Sequence, residues 1–119
     1  NRVEIKSMLT NIRSIQESCL LKLEAINVIP DSLAQFSYVV KHLSGNKTHP
    51  TYLPTTKEYQ NASIENLNKW LYFTCGQYIH NLDDENYKDY MISKYAVDSL
   101  RSGLLELLLW FKKTYAENK

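Results

Sequence analysis

Residues 97–115 read VDSLRSGLLELLLWFKKTY, and from Leu104 to Phe111 seven of eight residues are apolar, interrupted only by Glu106. At ~100° per residue, Leu104, Leu107, Leu108 and Phe111 share one helical face with Val97, Leu100 and Tyr115. Leu105 and Leu109 fall off that face, on a second ridge with Asp98 and Ala116. Trp110 falls on the opposite flank, next to Gly103. A helix in a four-helix bundle needs one apolar stripe, and this one is wider than a single neighbouring helix covers. Either the segment lies at the centre of its own bundle, or another molecule buries the excess, because large exposed apolar patches are rare on monomers.

Working back from this segment, the same stripe continues through Met91, Tyr90 and Tyr87, which predicts a long C-terminal helix from Asp83-Asp84-Glu85 onward. Acids there suit the positive end of a helix dipole and supply an N-cap. Some thirty residues would reach ~45 Å, so a kink or short break is expected near Ser93.

Three shorter periodic segments precede it. Ile5, Met8, Ile12, Ile15, Cys19, Leu23 and Ile26 predict a first helix over Val3–Asn27, stopped by Pro30. Ser32 and Gln35 form a capping box for a short second helix through Leu33, Phe36, Val39, Val40 and Leu43, closed at Gly45-Asn46. Residues 45–56 make a long connection that holds His49 and Tyr52. Thr55 and Glu58 cap a third helix carrying Ile64, Leu67, Leu71, Cys75, Tyr78 and Leu82, with Asn61-Ala62-Ser63 a candidate break. Gly76 inside it marks a close helix crossing. The expectation is a single all-α domain over residues 1–119, a bundle of about four helices.

Composition fits that class. The chain has 119 residues, one domain's worth, with 44% hydrophobic and 23% charged residues. Net charge is +1, which gives no overall field to draw nucleic acid or an anionic membrane. The longest apolar run, Leu107–Phe111, is far short of the ~20 residues a membrane span needs. Two cysteines, Cys19 and Cys75, both on apolar stripes, read as buried free thiols. The chain starts at Asn1 without a signal-peptide pattern, so the compartment stays open, with intracellular slightly favoured.

No catalytic pattern stands out. Cys19, Cys75, His42, His49 and His80 provide none of the paired spacings of a metal site. No glycine-rich phosphate loop or nucleophile elbow occurs. No His follows Arg2, Arg13 or Arg101 closely enough to form the Arg–His pair of small helical ribonucleases. Asp83, Asp84, Glu85 and Asp89 lack the alternation of a calcium loop. Neither a cofactor nor a metal is expected, and the balance leans against an enzyme.

What remains is a surface. Lys94, Arg101 and Lys112 project from the same side as Leu105, making a mixed basic and apolar strip on the C-terminal helix. The candidate interface is therefore Leu105, Leu109, Trp110, Lys94, Arg101 and Lys112. It suits a protein–protein interaction or regulatory module, docking a protein partner or a second copy. One alternative is a nucleic-acid-associated subunit of a ribonucleoprotein, motivated by the lysines and the many tyrosines that stack on bases. Another is a secreted, cytokine-like four-helix ligand, compatible with two cysteines and the sequons at Asn46 and Asn61.

Overall fold

The computed structural model describes residues 2–29, 62–87 and 91–119. These form α1 (Arg2–Ala25), α2 (Ala62–Asp83), a short 3₁₀ turn (Glu85–Tyr87) and α3 (Lys94–Asn118), with no strand among the described residues. Each helix packs on the other two. Arg2 donates to the Leu82 carbonyl at 2.8 Å and Lys6 pairs with Asp83 at 2.6 Å, so the start of α1 meets the end of α2. The two run antiparallel, while the C-terminal halves of α1 and α3 lie side by side, parallel. The expected second helix, the 45–56 connection and the Thr55 cap lie outside the described residues.

The end of α1 is set locally and not by Pro30. Asn27 takes a left-handed φ of 62°. Its N–H bonds to the Glu24 carbonyl, and the Val28 N–H bonds to the Leu23 carbonyl, both at 2.9 Å. This is a Schellman closure, with Asn at the position that tolerates positive φ and an apolar residue just after it. Val28 and Ile29 then fold back onto Leu20 and Leu23 as a small apolar cluster, against which Ile64, Trp110 and Tyr115 pack.

The break near Ser93 is present, but the acids before it have a different role from the one expected. Asp83 belongs to the last turn of α2, where Lys6 offsets its unfavourable place at the negative end of the helix. Asp84 accepts the Asn86 N–H at 2.9 Å and shapes the turn. Helix α3 starts only at Lys94, where Ser93, in extended backbone, accepts the Ala96 N–H at 3.1 Å through its hydroxyl. Helical spacing therefore does not hold across residues 91–93: Met91 is 86% exposed and Ile92 is buried in its place.

The main core joins Leu9, Ile12 and Cys19 of α1 to Leu71 and Cys75 of α2, and to Val97, Leu100 and Leu107 of α3. Each fully buried leucine contributes ~1.5–3 kcal/mol of transfer free energy. On α1 Ile12, Cys19 and Leu23 of the expected stripe are buried, but the buried arc extends on one side to Leu9, Gln16 and Leu20, and on the other Ile15 is left 40% exposed. The arc is wide because α1 serves two neighbours.

Two helical glycines make room for a neighbouring side chain. A Cβ at Gly76 would lie 3.2 Å from the Arg13 guanidinium, which also covers the Tyr72 ring at 3.9 Å. At Gly103 a Cβ would lie 2.6 Å from the Trp70 ring.

Candidate functional site

The six residues expected to form an interface divide five to one. Leu105 and Leu109 stand 63% and 65% exposed on α3. Lys94, Arg101 and Lys112 are exposed on the same flank. Asp98 pairs with Arg101, at 3.9 Å between half-exposed groups. Such a pair is worth little and leaves the strip basic. Trp110 does not join them. It lies ~160° round the helix from Leu108, packed against both apolar clusters, with its indole N–H buried.

Beside the exposed leucines runs a feature that one sequence does not reveal. A groove of about 730 Å³ lies between α1 and α3. Ile15 and Cys19 line it from α1, and Leu108, Phe111 and Tyr115 line it from α3. The Phe111 and Tyr115 rings stack at 5.5 Å, forming a flat aromatic wall. Lys22, Lys112 and Lys119 stand around the groove, with Ser14, Ser18 and Ala116 between them, and no Asp or Glu among the described residues lines it. Lys119 reaches over the Tyr115 ring at 5.8 Å.

The groove and the leucine ridge form one surface. Going round α3 from Leu108, Lys112 comes at ~40°, Leu105 at ~60°, Ala116 at ~80° and Leu109 at ~100°. Lys112 and Ala116 therefore belong to both the groove wall and the ridge. Ile15 and Tyr115 lie on the apolar stripes of their helices, and their exposure follows from the spacing of α1 and α3. The one sequence signal that pointed here was the excess width of the α3 stripe.

Little else in the described residues suggests chemistry. No three His, Cys, Asp or Glu side chains among them are placed to share a metal ion, and none of their helices is long and apolar enough to cross a membrane. Both cysteines are free and buried. Burial pushes the Cys75 thiol up to about 11, against an opposing pull from Arg13. Burial likewise raises the Cys19 thiol, opposed by Lys22. Protonated thiols of this kind are poor nucleophiles at neutral pH.

Comparison with family models, curated proteins and solved structures returned no match.

Proposed function

We propose that this chain is a non-catalytic helical interaction module, a structural or regulatory subunit that docks a protein partner through the outer face of α3. The observation that carries the reading is the paired exposure of Leu105 and Leu109, at 63% and 65%, beside an apolar groove. Isolated surface leucines need no explanation, but two on one ridge, continuous with a groove, form the apolar centre and basic rim of an interface. Trp70 and Phe73 of α2 also reach solvent, yet Trp70 leans on Gly103 and Phe73 meets Tyr72 edge-on at 5.6 Å.

The nucleic-acid reading draws on the same cations, but the leucines between them offer nothing to a phosphate backbone. The secreted-ligand reading would gain most from a Cys19–Cys75 bridge, and both thiols are free.

Sedimentation of an extract from the native source tests the proposal. The wild-type chain is expected to migrate in a complex, and a Leu105→Glu, Leu109→Glu variant at the size of the lone chain with an unchanged circular-dichroism spectrum. Co-migration of the variant with the wild type would contradict it.

A further inference from the structure

We infer that the groove between α1 and α3 receives an acidic amphipathic helix of a protein partner. Its apolar edge lies on Leu108, Phe111 and Tyr115, and its carboxylates face Lys22 and Lys112 on the two walls and Lys119 at one end. The inference rests on the docking reading above and adds the chemistry of the partner.

Charge argues for it first. Among the described residues the groove is lined by three lysines and by no Asp or Glu. None of the ion pairs among the described residues holds Lys22, Lys112 or Lys119 to a carboxylate. A ligand lying along the floor passes between cations rooted on both walls, and only an anionic edge satisfies both at once.

Size and shape argue next. Ser14 to Lys22 on α1 and Leu108 to Lys119 on α3 span ~12–17 Å at 1.5 Å per residue, two to three turns of a helix laid alongside. An apolar trough between two helices suits the helix-in-groove mode, read through anchors one turn apart. Beyond the groove the apolar surface continues to Leu105 and Leu109, which a small amphiphile seated on the floor would leave uncovered.

Other occupants fit less well. In a symmetric pair of copies the ridge meets itself, setting Arg101 and Lys112 against the same cations. The expected helix through Leu33–Leu43 of this chain has Lys41 and no acid, the wrong sign for a lysine rim. Nucleic acid would satisfy the lysines and leave the aliphatic floor unused.

The test is fluorescence anisotropy with the full chain and two labelled peptides of about 15 residues. Both carry leucines one turn apart, flanked by glutamates in one and lysines in the other. The acidic peptide is expected to bind at least roughly tenfold more tightly, and more weakly as salt rises. Lys22→Glu, Lys112→Glu and Lys119→Glu together, all at exposed positions, should reverse the preference.

Equal binding of both peptides, no binding of the acidic one, or a preference untouched by the triple variant overturns the inference. So does preferential binding of a single-stranded RNA oligonucleotide, or a stable dimer that excludes the peptide. The docking reading would still be judged separately, by the sedimentation of the Leu105→Glu, Leu109→Glu variant.

Discussion

The side-chain amide of Gln16 on α1 donates to both the backbone carbonyl and the side-chain oxygen of Asn68 on α2, at 3.0 and 3.1 Å, with both residues fully buried. Asn68 in turn donates to the Ile64 carbonyl at 3.0 Å. This polar bridge ties α1 to α2 in register: the Gln16 amide N–H groups are satisfied while its Oε1 is buried without a partner, and sliding α1 along α2 would break both bonds.

Gln16→Leu leaves the Asn68 oxygen without its partner and should destabilise the fold by about 1–3 kcal/mol. Adding Asn68→Leu removes the stranded group and should recover much of that loss. Urea denaturation of both single variants and the double variant measures the coupling.

The two helical glycines should respond in opposite ways to alanine. At Gly103 the new methyl would meet the bulky Trp70 ring at 2.6 Å. Overpacking of that kind costs ~1–3 kcal/mol, more than the ~1 kcal/mol that alanine gains in helix propensity. At Gly76 the obstacle is the Arg13 guanidinium at 3.2 Å, the movable end of a long side chain. Gly103→Ala should lower the thermal midpoint and Gly76→Ala should leave it level or raise it. Trp70→Leu should rescue Gly103→Ala.

Asn27, at φ 62°, closes α1. Asn27→Ala should cost ~1–2 kcal/mol, since a β-carbon is disfavoured there, whereas Asn27→Gly should be close to neutral. Denaturant midpoints of the two variants distinguish this closure from a stop imposed by Pro30.

Cys75 makes stability depend on pH on the alkaline side. Burial raises its thiol from the ordinary 9.0 to about 11, so the folded state holds the proton more tightly than the unfolded state. The contribution is complete below about pH 9 and is lost as pH rises through about 11. Stability measured across that window should fall more steeply for the wild type than for Cys75→Ala. Equal slopes would show that the thiol is not desolvated.

The stripes of α2 and α3 and the interruption at Ser93 were legible because burial against neighbouring helices imposes a 3.6-residue period. On α1 the stripe through Ile12, Cys19 and Leu23 was legible but its extension to Leu9, Gln16 and Leu20 was not, because Gln16 reads as a surface residue and only its partner Asn68 makes it a core one. The stop at Asn27 was not legible, because a left-handed turn at Asn has no strong signature in a single sequence, whereas Pro30 does. The exposure of Leu105 and Leu109 followed from angle alone, whereas the groove depends on the separation of α1 from α3 and on which lysines end up facing each other. Those are tertiary facts.

Site-specific photocrosslinking in cells of the native source tests the docking surface most directly. A benzophenone side chain is placed in turn at Leu105, Leu109 and Glu106, the last on a different flank of the same helix. Discrete adducts with an acidic protein partner from positions 105 and 109, and none from 106, are the result expected. Adducts at all three positions alike, or none at 105 and 109, would show that this face of α3 is ordinary solvent-exposed surface.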